Sequence, residues 1–182
     1  GHNFDWFYGE SDVIEETKMV ISEAKSKNKI LDDNGALLSK QTSDPPILLT
    51  KSDGSFLYLT TDLGTVYFRE KNGNFSNYFY VVDQRQSNHF NQLFKTIKYF
   101  ELSKSNFSHI SYGTVNGKDG KPLKTRDGGV YKLEELLNDV KKELSKINKD
   151  SVLVEQLANT ILTYSDLLPS RNQNYKFEIE KF

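Results

Sequence analysis

At 182 residues with 13% aromatics, 12 of them Phe and 10 Tyr, the chain can bury a real core as one domain or part of a larger one, which excludes a disordered polymer. A net charge of −1 and a pI near 6.4 exclude a broadly basic nucleic-acid surface, so any RNA contact must be local or come from another domain. The absence of cysteine excludes disulfides, thiol nucleophiles and Cys-based zinc sites; no apolar run reaches the roughly 20 residues that span a bilayer, and the start lacks a signal-peptide pattern.

In chain order, Val13, Ile14, Met19, Val20, Ile21 and Ala24 recur on one face between Glu10 and Asn28, which predicts an amphipathic helix. Ile30 to Leu38 contains Asp33-Asn34-Gly35 and reads as two short strands around a turn. After the break at Asp44-Pro45-Pro46, Ile47 to Lys51 and Ser55 to Leu59 flank Ser52-Asp53-Gly54 and predict a second hairpin. Thr60-Thr61-Asp62 is a helix-start signal, followed by Leu63, Val66 and Tyr67 at helical spacing towards Glu70, with Lys71 to Asn74 closing the helix.

Tyr78 to Val82 is a continuous apolar run and predicts a central strand buried on both faces. Phe90, Leu93, Phe94, Ile97 and Phe100 then mark a helix from Gln86 to about Ser103, and Phe107 to Val115 reads as the next strand. Strand, helix and strand over some forty residues form a βαβ unit with a parallel sheet, whose ligands sit beyond the strands' carboxyl ends. Leu133, Leu136, Leu137, Val140 and Leu144 predict a helix with a Lys-rich outer face, Lys146 to Lys149 a linker, and Ser151 to Leu167 a last helix before Pro169. Tyr175 to Phe182 alternates apolar and charged residues.

Gly117 to Gly129 sets four glycines and four basic residues in thirteen positions. Two readings are open: a phosphate-gripping loop, in which Lys121, Lys124 and Arg126 give charge-assisted donors, or a solvated charged hairpin. A Walker A loop is excluded, because Gly120-Lys121 is followed by Pro122 and the position five before Gly120 is Val115. No Gly-x-Gly-x-x-Gly joins a strand to a helix either.

Tyr58 at a strand end and Asp62 in the next helix's first turn suit a cation with an alkyl stem, or equally a core Tyr and a helix-capping Asp. Gln86, Ser87 and His89 follow the central strand, where polar ligand contacts collect; His89 also fits a structural helix-start role. Asp83, Ser87 and His89 lie too close together, without an elbow motif, for a hydrolase triad, and His89 and His109 lack metal-ligand spacing.

Three segments, Asp53 to Asp62 (DGSFLYLTTD), Tyr80 to Phe90 (YVVDQRQSNHF) and the Gly117 to Gly129 loop, resemble in order and spacing three linked motifs of arginyl-tRNA synthetases, class I aminoacyl-tRNA ligases. Phe4 to Ser11 (FDWFYGES), Tyr164 to Leu167 (YSDL) and Tyr175 to Phe182 resemble further segments of that family. The resemblance implies a parallel-sheet, Rossmann-like nucleotide-binding half-domain of the α/β class, with an inserted hairpin region and C-terminal helices. It implies an insertion at 3–52, the second βαβ half at 53–132 and, at 133–182, a helical connection towards an anticodon-binding domain.

It further implies that Lys121, Lys124, Thr125 and Arg126 stand where class I enzymes carry the Lys-Met-Ser-Lys-Ser signature and grip the ATP phosphates. Glu10 and Asp62 would receive the guanidinium, beside Tyr58, with Gln86 on the α-amino group. His89, Gly113, Thr114 and Val115 would line the adenosine. ATP, as substrate with Mg²⁺, arginine and tRNA(Arg) are the implied partners, in the cytoplasm, with no membrane partner and no protein-bound metal.

No His-Ile-Gly-His-type motif occurs in the sequence. The expectation is therefore the second half of a catalytic domain, inactive in charging by itself. The alternative is a non-catalytic nucleotide-binding or interaction module derived from such an enzyme.

Overall fold

The computed structural model describes residues 3–73, 75–116, 120–121 and 132–176. They fall into two compact units, residues 1–80 with 85–110, and residues 81–84 with 111–182.

The first unit opens with a single 3-10 turn at Glu10–Val13 that runs into helix α1, Ile14–Ser26. Val13, Val20, Ile21 and Ala24 form its buried face as the spacing predicts, joined by Thr17, whereas Met19 of the predicted face is 44% exposed. Strands β1 (Ile30–Asp33) and β2 (Ala36–Ser39) pair antiparallel, Ile30 opposite Ser39. Asn34 and Gly35 both take positive φ, 53° and 87°, the geometry an Asn-Gly hairpin turn requires. β3 (Leu48–Thr50) joins the far side of β2.

The second predicted hairpin is reduced to one bridge, Thr50 to Phe56. Beyond it the chain turns helical, because the Leu57 carbonyl accepts from the amides of Thr60 (2.8 Å) and Thr61 (3.1 Å), while the Thr60 hydroxyl donates to the Leu49 carbonyl. Helix α2 therefore spans Tyr58–Asn72. Tyr58 opens a helix rather than ending a strand, and Asp62 lies one full turn later on the same face, beyond the first turn. Of the predicted closing residues, Asn74 lies outside the described set.

α1 packs on α2 most closely at Gly64, where an added Cβ would overlap the Thr17 hydroxyl and sit 2.9 Å from its backbone nitrogen and 3.0 Å from its Cα. Thr17 is wholly buried and folds its hydroxyl back onto the Val13 carbonyl at 2.7 Å.

The predicted strand-helix-strand unit is present: β4 (Asn77–Asp83), a short turn Gln84–Gln86, α3 (Ser87–Phe100) and β5 (Asn106–Tyr112). β4 and β5 are hydrogen-bonded neighbours whose starts adjoin, Asn106 N donating to Ser76 O at 2.9 Å, so they run in the same direction. α3 buries Phe90, Leu93, Thr96, Ile97 and Phe100. It ends at Glu101, whose φ is 60° and whose carboxyl is held below the usual range by the Lys29 ammonium, with Lys27 beside it.

β4 is not buried on both faces. Tyr78 and Tyr80 pack against Phe107, Phe90 and Phe94, whereas Phe79 and Val81 are 65% and 64% exposed, because strand alternation points them the other way.

In the second unit α4 (Leu133–Ile147) and α5 (Ser151–Leu167) pack around Val140 and Ala158, with Leu136, Leu137, Leu144 and Ile161 alongside. The Asp150 carboxylate caps α5 by accepting from Val152 N and Leu153 N. The linker is shorter than predicted, since α4 continues to Ile147. β5 stops at Tyr112, short of the expected Val115, because the amides of Gly113 and Thr114 leave the ladder for Arg171 O (2.9 Å) and Asn174 Oδ1 (2.8 Å). A separate short strand, β6 (Val115–Asn116), then runs parallel to β7 (Tyr175–Lys176); residues 177–182 lie outside the described set. No helix among the described residues is long and apolar enough to cross a membrane.

Gly64→Ala is expected to destabilise the fold by about 1–3 kcal/mol, the usual range for overpacking. Thr17→Ala is expected to restore only part of the loss, since the backbone clash remains; thermal unfolding of the single and double variants measures both.

Candidate functional site

Glu10, Tyr58, Asp62, Gln86, His89 and Phe90 line one cleft of about 500 Å³ in the first unit. Glu10 stands on the 3-10 turn before α1, which is fastened by Gly9 N donating to Asp12 Oδ2 at 2.7 Å. Tyr58 and Asp62 share a face of α2. Gln86 ends the turn beyond the carboxyl end of β4, where open parallel sheets keep their ligand contacts. His89 and Phe90 occupy the first turn of α3.

The cleft's shortest polar contact is between His89 Nε2 and Asp62 Oδ2, at 2.6 Å. A carboxylate only accepts, so Nε2 carries the shared proton. The side chains are 26% and 32% exposed, open to the cleft yet screened from bulk water on one side. The His89 ring meets Phe90 edge-on at 5.2 Å. Phe90 is buried and packs in turn on Tyr80 at 5.0 Å and His109 at 4.8 Å. Burial pushes the Tyr80 hydroxyl up to about 12, the Arg69 guanidinium 5.7 Å from its ring opposing the shift and the Asp62 charge adding to it.

Two carboxylates, a phenol and an amide make a wall rich in acceptors, suited to a cation with several N–H donors. Two other clefts have similar size, one between α1 and the hairpin beside Lys18 and Lys25, the other among Phe4, Trp6 and Tyr8. Volume therefore does not single out a site, whereas the converging carboxylates do.

In the second unit Gly113, Thr114 and Val115 lie against residues 171–176. A Cβ on Gly113 would overlap the Gln173 carbonyl and come within 2.8 Å of Asn174 N, so this close approach requires glycine. Thr114 also accepts from Tyr175 N at 3.3 Å, and Val115 pairs with Tyr175. Of the residues expected to grip phosphate, Lys121 is exposed and follows Gly120, whose φ is 74°. Lys124, Thr125 and Arg126 lie outside the described residues. Among the described residues no group of three or more His, Asp or Glu could hold a metal ion.

Sequence reasoning missed Phe90 as a cleft residue, having used it only as helix core, and missed the pairing of His89 with Asp62. The pair is 27 positions apart. Its signal in the sequence is faint: each residue stands near the start of a helix, Asp62 on α2 and His89 on α3, and nothing in the spacing says that those helix starts meet.

Residues 2–179 match the family model described as tRNA synthetases class I (R), catalytic domain. The arginine–tRNA ligase of Francisella tularensis subsp. novicida is 37% identical over 187 aligned residues, which take in 99% of this chain and 32% of that protein. The arginine–tRNA ligase of Agathobacter rectalis is also 37% identical, over 99% of this chain and 34% of its own length. The chain thus spans about a third of the length of these curated relatives. Among solved structures, the arginyl-tRNA synthetase of Plasmodium falciparum superposes with a TM-score of 0.71 at 23% identity, over 96% of this chain and 31% of the other. That of Thermus thermophilus gives 0.71 at 16% identity, over 94% and 37%. At these identities the superpositions establish the shared fold, with its Rossmann-like α/β character.

Because the Tyr80 hydroxyl holds its proton up to about pH 12 when folded, against an ordinary tyrosine value of 10.0, its contribution to stability is complete below pH 10 and declines as pH rises towards 12. Tyr80→Phe is expected to flatten this part of the alkaline stability profile; denaturant unfolding between pH 9 and 12 reads it, and an unaltered slope would contradict the assignment.

Proposed function

This chain belongs to the family of class I tRNA synthetases (R), catalytic domain, and on that premise we propose that it is part of an arginine–tRNA ligase, supplying the arginine pocket and the phosphate-gripping loop. In this reading residues 3–182 are the C-terminal part of the catalytic domain. Residues 3–52 are an insertion, 53–132 the second βαβ half with the loop at 117–129, and 133–182 a helical connection towards an anticodon-binding domain.

The observation that carries the reading is the convergence of Glu10, Tyr58, Asp62 and Gln86 on one cleft, from three elements in the chain's first half. Glu10 and Asp62 receive the guanidinium, whose planar array of N–H donors matches carboxylate oxygens. The Tyr58 ring lies along the alkyl stem, and Gln86 takes the α-amino group. A site built on such paired polar contacts can reject a ligand lacking them by roughly 10⁴.

ATP, with Mg²⁺, is the second substrate. The arginine carboxylate attacks the α-phosphate, a new P–O bond forms, and pyrophosphate leaves. A tRNA(Arg) terminal hydroxyl then attacks the acyl carbon, and AMP departs. Lys121, Lys124, Thr125 and Arg126 grip the phosphates, stabilising charge as pyrophosphate separates. His89 in the first unit, and separately Gly113, Thr114 and Val115 in the second, are the residues assigned to the adenosine by resemblance to the family. The setting is the cytoplasm.

Asp62→Ala removes a charged acceptor and is expected to weaken L-arginine binding on the order of 100-fold, while Lys142→Ala, on an exposed face of α4, leaves it unchanged. NMR titration of the chain with L-arginine measures both; indifference to Asp62→Ala would remove the pocket. Arginine- and tRNA-dependent pyrophosphate exchange is expected of a protein extended towards the amino terminus, and its absence there would count against the ligase reading.

A further inference from the structure

Resting on the arginine-pocket reading, we infer that His89 is a positioning residue for Asp62, holding one carboxylate oxygen so that the carboxylate faces the guanidinium in one fixed orientation. The His89 Nε2 to Asp62 Oδ2 contact is 2.6 Å, short for a charge-assisted hydrogen bond and made between two different helices, α2 and α3. It fixes the torsion of a carboxylate that would otherwise rotate freely at the cleft wall.

The imidazole is itself fixed. Its edge-on partner Phe90 is 4% exposed and is wedged between Tyr80, Phe94 and His109. Neutral or protonated, the ring donates through Nε2, so the hydrogen bond does not depend on its charge.

With one lone pair of Oδ2 taken by the imidazole, the Asp62 carboxylate is held in one orientation and offers its remaining acceptor sites in fixed directions. The ligand is shared: the oriented Asp62 carboxylate from α2 takes one edge and the Glu10 carboxylate, from the 3-10 turn, another. A planar cation with five N–H donors can span two carboxylates on separate elements. A lysine ammonium, a compact charge with three rotatable donors, gains less from a fixed carboxylate orientation than the rigid planar guanidinium does. Discrimination between the two amino acids thus depends on a residue that touches neither of their distinguishing groups.

The test titrates the chain and its His89→Ala, His89→Gln and Asp62→Ala variants with L-arginine and L-lysine, reading Kd from NMR shifts and folding from thermal midpoints. His89→Ala is expected to weaken L-arginine about tenfold and to narrow its margin over L-lysine, as loss of one hydrogen bond to a charged group implies. His89→Gln, whose amide reaches the same oxygen, is expected to restore most of both. Unchanged binding in His89→Ala alongside loss in Asp62→Ala overturns the positioning role and leaves the pocket standing, as does failure of His89→Gln to rescue. Unchanged binding in Asp62→Ala, or no saturable arginine binding by the parent chain, overturns the pocket and this inference with it. Should His89→Ala lose its fold, His89→Gln against the apolar His89→Leu gives the same two results.

Discussion

The close approach of α1 to α2 at Gly64 is the constraint on which the cleft depends. A residue with any side chain there would collide with Thr17, so only glycine lets the two helices settle at this separation. The consequence travels along both helices. The turn carrying Glu10 leads straight into α1, and Tyr58 and Asp62 ride on the first two turns of α2. Their placement on a common cleft follows from how near the two helices lie. Thr17 assists by turning its hydroxyl onto the Val13 carbonyl, which satisfies a wholly buried polar atom and keeps it from needing another partner.

Electrostatically the cleft is a compromise between exposure and anchorage. Fully solvated carboxylates hold their ligands weakly, and fully buried ones carry a large desolvation cost unless paired. Asp62 lies between these limits, with an imidazole on one oxygen and a partly open approach. Behind it the aromatic cluster of Tyr80, Phe90, Phe94 and Phe107 ties α3 to both strands of the parallel pair. The polar wall is thereby mounted on a packed support, which keeps donor and acceptor directions fixed without restricting the mouth.

The second unit uses a different device. Gly113 and Thr114 give their amides to residues 171 and 174, far away in sequence, and β6 then pairs with β7. Val115 of β6 and Tyr175 of β7 pack against the small aliphatic core of Val140 and Ala158 between α4 and α5. The Tyr175 hydroxyl donates to Asp166 Oδ1 on α5 at 3.1 Å, and burial together with that carboxylate raises the hydroxyl's pKa above the ordinary tyrosine value.

The sequence alone determined the helices with strong period, the first hairpin and the βαβ unit, because those signals are local: Asn34-Gly35 needs no distant partner to favour its turn, and the Phe90 to Phe100 stripe declares its own face. The order and spacing of the DGSFLYLTTD and YVVDQRQSNHF segments likewise marked the family and singled out Tyr58, Asp62 and Gln86. Tertiary structure decided what depends on competition between partners. Ser55 to Leu59 has the composition of a strand, yet the Leu57 carbonyl accepts helix amides and the Thr60 hydroxyl takes the Leu49 carbonyl, so the helix starts at Tyr58. Tyr78 to Val82 reads as buried throughout, but α3 covers one face only. The bond between His89 and Asp62 belongs to this second class: no periodicity links positions 27 apart, and only the packing of α2 against α3 brings imidazole and carboxylate within a hydrogen bond.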